Sequence, residues 1–388
     1  MRPAIFIIIY LVDGAVMKKK ILMLGNAYQS IFTHRLELVE ALVSEGHEVV
    51  VSFQDSFLGN GEEICAKYGC KFVDIPISRR NTRIHEDLAL LCRYHKLIHD
   101  EKPDAVLAYT VKCDVYGGIA SAWNHVPFMP NITGLGKGLA EHGIVQKILI
   151  RLYRMAVKKA KVVFFQSEHD RDFFIEHKIN FPRCIVLPGS GVNLTKYKPL
   201  DYPDTKLSVF LFNSRIMRPK GIDEYLEAAK VIRAKYPDVE FHVCGYCEEY
   251  GMGKDNYRSV IAREEARGHI IYHDFVSSMN EYYEKAGCIV LPSYHPEGVA
   301  NVLLEAAACA RPIITTNHPG CRETIDDGVT GYLIKVRSSE DLIAKIEQFL
   351  ALTYEQRREM GLRGRAKVEK EFDRQKVIDA YMNEINSL

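Results

Sequence analysis

Residues 288–316 read CIVLPSYHPEGVANVLLEAAACARPIITT. The apolar run Cys288–Leu291 stops at Pro292, a polar turn follows, and a helical pattern opens near Val299 and runs to about Cys309. A second β-branched run, PIITT, comes next. Short strands that are apolar on both faces and joined through a helix are the mark of a parallel sheet covered on both sides. The turn also carries charge. Glu297 stands just before the predicted helix and Glu305 within it, about 12 Å apart along the axis at helical pitch. Between them the N–H groups of Gly298, Val299, Ala300 and Asn301 fall in a first turn, where a helix leaves donors unpaired and favours a diphosphate. Gly298 lets an anion come close to the backbone. Two acids beside an anion site make sense if each accepts hydrogen bonds from neutral hydroxyls, Glu297 from a sugar and Glu305 from a ribose. The plainer alternative is a capping Glu297 and a surface Glu305.

The same alternation extends in both directions. KKKILMLG, EVVVSF, KFVDI, DAVLAY and KVVFFQS come before it with helical stretches between, and LSVFLFNS, VEFHVCG and HIIYHDF lead up to Cys288; GYLI follows. GSGVNLTKYKPLDYPDTK (189–206), rich in Pro, Gly and Asp, separates two such series. The expected fold is therefore α/β: two tandem doubly wound, Rossmann-like domains, residues 17–198 and 199–370, with ligands in the cleft at the strand carboxyl ends. A last helix, 371–388, could pack on either domain, crossing back to the first. In LSVFLFNSRIMRPKG, Arg215 and Lys220 lie just past a strand end, with Gly221 opening a helix. Two cations five residues apart in such a loop suit a diphosphate; a solvated basic loop is the ordinary reading, and the downstream cradle tips the balance.

The chain has 388 residues, with 51 Lys+Arg against 50 Asp+Glu, a net charge of +1 that excludes a globally basic nucleic-acid binder. The first 200 residues hold 26 Lys+Arg and 20 Asp+Glu, the remainder 25 and 30, so neutrality comes from two oppositely charged halves. Part of the excess lies between His142 and Gln166, a stretch without an acid, where Lys147, Arg151, Arg154 and Lys158 interleave with Ile148, Leu149, Leu152 and Met155. Such a basic amphipathic helix suits an anionic membrane surface, or else packs its apolar side on the core. Ten cysteines, most in apolar runs, imply reduced thiols and a cytoplasmic setting. Cys244-Gly-Tyr-Cys247 lacks a second pair at metal spacing. Residues 1–16 hold an apolar run too short to span a bilayer, and Met17 opens MKKKILMLGN, so 1–16 reads as a dispensable or misassigned leader, with a signal or anchor as the alternative.

Arg215-x4-Lys220 and Glu297-x7-Glu305, followed by PGCRETIDDGVTGYLI, resemble the GT-B glycosyltransferases of family 4, which are retaining and use nucleotide sugars. The resemblance covers the chain from Met17. NITGLGKG (131–138), FFQSEHDRDFF and VLPGSGVNL are similar to the bacterial branch that builds capsule, exopolysaccharide and lipid-linked oligosaccharides. The resemblance implies GT-B architecture, a UDP-sugar donor bound by the C-terminal domain, a saccharide or lipid-diphosphate-linked saccharide acceptor on the N-terminal domain, and no metal or other cofactor. Arg215 and Lys220 would neutralise the diphosphate, Glu305 hold the ribose, and Glu297 the donor sugar with the amides of Gly298 to Asn301. Val276 would meet the base and Gly25 face the diphosphate; His34, Arg35, Thr133, Gly134 and Gly136 would lie on the acceptor side. Lys147, Arg151, Arg154 and Lys158 would face the inner surface of the membrane.

The sequence departs from that family in three places. SYHPEG is one residue longer than the usual turn, Asp274 stands where the family has Gly, and Ala310 replaces the Gly that caps the central helix, which implies an end without a left-handed cap. Asp170-Arg171-Asp172 imitates a metal-binding DxD, but Ser167 is a good N-cap for a helix with acids in its first turn. Gly134-Leu-Gly136-Lys-Gly138 only faintly resembles a dinucleotide fingerprint. Two other functions fit parts of the pattern: a UDP-sugar 2-epimerase, which needs no acceptor, and a non-catalytic nucleotide-sugar-binding partner in a capsule assembly complex.

Overall fold

The structure, a computed structural model, describes residues 17–55, 59–77, 83–203, 208–247, 257–276, 278–296 and 298–388. Residues 1–16, where a leader is expected, and Glu297 lie outside them.

The first domain starts with β1 (Lys20–Leu24), α1 (Leu36–Ser44), β2 (Glu48–Phe53), α2 (Gly61–Lys67) and β3 (Lys71–Asp74). It continues through α3 (Ile84–Glu101), β4 (Ala105–Tyr109), α4 (Val111–Asn124), β5 (Phe128–Ile132), α5 (Gly136–Ala140) and α6 (Ile144–Ala156). β6 (Val163–Phe165), α7 (Glu168–Glu176) and β7 (Cys184–Val186) complete it. The seven strands are parallel in the order β3-β2-β1-β4-β5-β6-β7. β1 is central, and Ile21 to Leu24 are wholly buried, as an apolar run covered on both faces must be.

The second domain comprises β8 (Ser208–Asn213), α8 (Ile222–Lys235), β9 (Val239–Cys244), α9 (Tyr257–Ala266), β10 (Ile271–Tyr272) and α10 (Asn280–Lys285). β11 (Cys288–Leu291), α11 (Asn301–Ala308), β12 (Ile313–Thr316), β13 (Gly331–Ile334), α12 (Ser339–Leu350) and α13 (Tyr354–Glu371) follow. Its sheet is again parallel, β10-β9-β8-β11-β12-β13. Arg311, fully buried, donates to the carbonyls of Leu200, Asp201 and Tyr283, which fastens the incoming connection to this domain.

Two strands escape the sequence pattern. β5 carries Pro130 in mid-run, which interrupts a β-branched signal, and β7 is a three-residue, half-buried edge. α14 (Arg374–Asn386) packs on the first domain. Tyr381 is buried against Phe164, ring centroids 4.3 Å apart, and accepts a hydrogen bond from Asn131 Nδ2 (2.7 Å). Lys19 Nζ donates to the carbonyl of Ile385 (2.7 Å).

The chain thus passes between domains twice, and the two passages are joined. Val192 N–H donates to Phe372 O (2.8 Å), and Arg374 N–H to Val192 O (3.1 Å). Glu37 on α1 receives Arg374 Nη1 on both carboxylate oxygens (2.7 and 2.6 Å) and Asn193 Nδ2 (2.7 Å). Burial works against that carboxylate, but Arg374 and Asn193 outweigh it and hold its pKa below the ordinary value.

Candidate active site

β8 ends at Asn213, and the loop after it carries Arg215, half-buried, and Lys220, buried. Pro219 lies in a tight turn, Arg218–Lys220, closed by Gly221 at φ 81°. Only glycine fits there, because a Cβ would collide with the carbonyl of Pro292 at the end of β11. Tyr294 N–H then donates to Pro219 O (2.8 Å). The two segments singled out in the sequence are therefore clipped together at adjacent strand ends. On the other side, Gly245 N–H donates to Asp274 O (2.8 Å), which brings the segment leading to Val276 beside the loop of Arg215.

The start of the central helix differs from the expected one. α11 begins at Asn301, with Ala300 as its cap in an extended conformation. Gly298 N–H donates to Thr133 O across the cleft (3.1 Å), and Ala300 N–H to Gly320 O (2.8 Å). Two of the four expected amides are thus occupied, and the cradle narrows to Val299 and Asn301. The cause is tertiary: residues 298–300 are held between the first domain and the turn at Gly320. The helix end also differs. Ala310 does adopt the left-handed conformation, φ 55°, with Arg311 N–H on Ala306 O and Ala310 N–H on Ala307 O (both 2.9 Å), a Schellman ending built without glycine. Asp274 likewise takes φ 53°. Both positions where the resemblance expects glycine take a left-handed backbone without it.

Glu305 is half-buried on α11 and accepts a hydrogen bond from Tyr283 Oη (3.1 Å), with Tyr197 as a second tyrosine partner. Burial raises its pKa above the ordinary carboxylate value, against the pull of those hydroxyls.

From the first domain, Gly25 follows β1, and its N–H donates to Ser52 O (2.9 Å). His34 and Arg35 come between a wide π-type turn, Gln29–Thr33, and α1. His34 reaches across the cleft: its Nδ1 lies 3.1 Å from Asn301 Nδ2. Arg35 turns the other way. It is buried, its guanidinium stacked 3.9 Å from the centroid of Tyr109 and donating to Ser30 O. The loop Thr133–Gly136 meets the second domain through Thr133 O, with Gly134 and Gly136 both at positive φ. The structure therefore brings His34, Thr133, Gly298 and Asn301 together and leaves Arg35 inside the domain.

Sequence reasoning missed Gln166, whose side chain fills the space a Cβ on Gly298 would need. Its position directly after β6, at a strand carboxyl end, was the available signal. Asp170 lies in the first turn of α7, where Ser167 caps its N–H (3.2 Å), and Asp172 pairs with Arg171. Cys244 and Cys247 are buried and in no disulfide, the thiol of Cys244 pushed up to about 12 by burial. Lys147, Arg151, Arg154 and Lys158 are all exposed on or just after α6, beside exposed Ile144, Val145, Ile148 and Met155. Arg154 also caps α7, donating to His177 O (2.6 Å) and Lys178 O (3.1 Å). Among the described residues no helix is long and apolar enough to cross a membrane.

Two doubly wound domains joined by a paired crossover, with their strand carboxyl ends meeting at a cleft, form the GT-B architecture. Residues 32–189 match the Glycosyl transferase 4-like domain, and residues 201–367 match the Glycosyl transferases group 1 model. The chain belongs to family 4 of the GT-B glycosyltransferases. It is 25% identical over 346 residues (84% of this chain, 88% of the relative) to N,N'-diacetylbacillosaminyl-diphospho-undecaprenol alpha-1,3-N-acetylgalactosaminyltransferase of Campylobacter jejuni. It is 27% identical over 331 residues (81% and 85%) to the capsular polysaccharide biosynthesis glycosyltransferase CapM of Staphylococcus aureus. The crystal structure of Anabaena Alr3699/HepE in complex with UDP and glucose shares the fold, with TM-score 0.78 and 17% identity over 95% of this chain and 100% of that one.

Proposed function

We propose that this glycosyltransferase moves a sugar from a UDP-sugar to a lipid-diphosphate-linked saccharide, with retention at the anomeric carbon, in bacterial surface polysaccharide synthesis at the inner face of the membrane. The observation that carries the reading is the clip between the Arg215–Lys220 loop and the turn before α11. It fastens the loop that carries two cations to the segment that leads into a helix N-terminus, and that combination of charges and amides would suit a diphosphate. Asn301 Oδ1 is buried with no hydrogen-bond partner among the described residues, an acceptor that a donor hydroxyl would satisfy. The relatives from Campylobacter and Staphylococcus, and the UDP complex of the Anabaena protein, support the donor and acceptor classes.

In this mechanism the bond from the sugar's anomeric carbon to the β-phosphate oxygen breaks, and its electron pair stays on that oxygen. Arg215, Lys220 and the free amides stabilise the charge that develops there. The acceptor hydroxyl attacks from the face the leaving group departs and passes its proton to the same phosphate oxygen, so no protein nucleophile is used. Because Arg215 and Lys220 neutralise the diphosphate, the step needs no divalent cation. His34 and Thr133, touching Asn301 and Gly298, hold the acceptor domain against the donor.

The acceptor's lipid would reach the site along α6. That helix follows the Thr133–Gly136 loop through α5 and exposes apolar and basic side chains together. UDP release from UDP-sugars tests the reading. Release only when a polyprenyl-diphosphate-linked saccharide is added is expected; release without acceptor indicates an epimerase-like reaction, and binding without release a non-catalytic partner. Pelleting with anionic vesicles at low salt tests the docking of α6, and protein left in the supernatant contradicts it.

A further inference from the structure

The first domain has two helical layers. α1, α2 and α14 cover one face of the sheet; α3, α4 and α6 cover the other, with α4 packed against both its neighbours. The layers differ outside. Among the described residues none of the large apolar side chains left exposed lies on α1, α2 or α14. On the other layer Ile84 and Leu88, one turn apart on α3, are 77% and 58% exposed, Trp123 on α4 is 55% exposed, and Ile144, Ile148 and Met155 stand out from α6. These groups are not confined to one end. Helices in such a domain run side by side in one direction, so Ile84 and Ile144 lie at the cleft end. Trp123 and Met155 sit near the far end, roughly 20 Å away along a 14-residue helix. Trp123 is held in place, its ring edge-on to His95 of α3 at 5.7 Å.

We infer that the whole α3–α4–α6 layer lies flat on an anionic bilayer, with Trp123 inserted at the headgroup level. The inference rests on the membrane docking proposed above for α6 and adds its orientation. An apolar patch of this breadth needs a partner, and the charges choose which. Lys147, Arg151, Lys158 and Lys159 are exposed along the same layer; a second copy would set these cations against its own, whereas anionic lipid neutralises them. A tryptophan with an apolar body and one N–H suits the bilayer interface. Lying flat, the domain keeps the Thr133–Gly136 loop, a few residues ahead of α6, next to the surface from which a lipid-linked diphosphate emerges.

Trp123 is the only tryptophan in the chain, so intrinsic fluorescence reports on it alone. The full chain is mixed with phosphatidylglycerol/phosphatidylethanolamine vesicles, with and without lipids brominated near the top of the acyl chain, and pelleting is measured in parallel. The expected result is pelleting, a blue shift of Trp123 emission, and quenching by the brominated lipid. Pelleting with unchanged emission overturns the flat orientation and leaves α6 docking intact. No pelleting overturns both. Ile84→Ser with Leu88→Ser should weaken vesicle binding several-fold without altering UDP release from the UDP-sugar when a water-soluble acceptor is supplied. A double variant Arg151→Glu, Lys158→Glu that still pelleted fully would assign the attachment to another segment and overturn the inference.

Discussion

The two domains share one topology and use it in opposite ways. In the C-terminal domain, loops at the strand ends are fastened to one another: Tyr294 to Pro219, Gly245 to Asp274, and Ala300 to Gly320. The N-terminal domain instead leaves a helical layer with apolar and cationic side chains exposed. A site for a small, highly charged donor gains from donors fixed before the ligand arrives. A long amphiphilic acceptor needs a surface. The sheet supplies the same platform for both, and loop and outer-face residues set the difference.

The strongest test of the contrast is to weaken the fixed side. Arg215→Ala or Lys220→Ala should each lower kcat by about 10²–10³-fold, the usual loss of a charge-stabilising donor, with an unchanged circular dichroism spectrum. Next comes the joint between the domains. Glu37→Gln removes the charge that holds Arg374 and should cost roughly 1–3 kcal/mol in denaturant unfolding, with a drop in transfer on the order of 10-fold or more from misplaced domains. Because the folded pKa of Glu37 is depressed, its contribution is present above the ordinary carboxylate pKa and is lost as pH falls through the lowered value.

An effect on the pH dependence of stability, rather than on transfer, belongs to Asp170, buried on α7. Burial pushes its carboxyl up to about 7, Ser167 opposes the shift, and the charge of Glu323 adds to it. The folded chain then holds a proton that the unfolded chain releases near pH 4, so stability falls as pH rises from about 4 to about 7. Thermal unfolding of Asp170→Asn should show roughly 2–4 kcal/mol less of this decline than the wild type, and parallel curves would refute the shift. Smallest is Ala310→Gly, which relieves a left-handed alanine and should raise stability by about 1 kcal/mol or less, since glycine also gains freedom when unfolded.

Periodicity alone disclosed both sheets and the junction between them, because parallel strands buried on both faces leave unbroken apolar runs. Pro130 hid β5 for the same reason: it breaks such a run where the neighbouring strands supply the stability. The Arg215–Lys220 pair was legible as two cations after a strand. The start of α11 was not, since the placement of residues 298–300 depends on Thr133 and Gly320, which are remote in sequence. The resemblance put Arg35 on the acceptor side, but the buried ring of Tyr109, on the neighbouring strand β4, draws it inward. The joint of Glu37, Asn193 and Arg374 had no local signal, as its members are 156 and 337 residues apart.

The donor site in the C-terminal domain is the claim on which the rest depends, and calorimetric titration with UDP addresses it directly. One UDP should bind per chain, and Lys220→Glu should weaken that binding by on the order of 100-fold or more, since a charge meant to pair with the diphosphate then repels it. Equal affinity in the wild type and Lys220→Glu would contradict the assignment of the Arg215–Lys220 loop to the diphosphate.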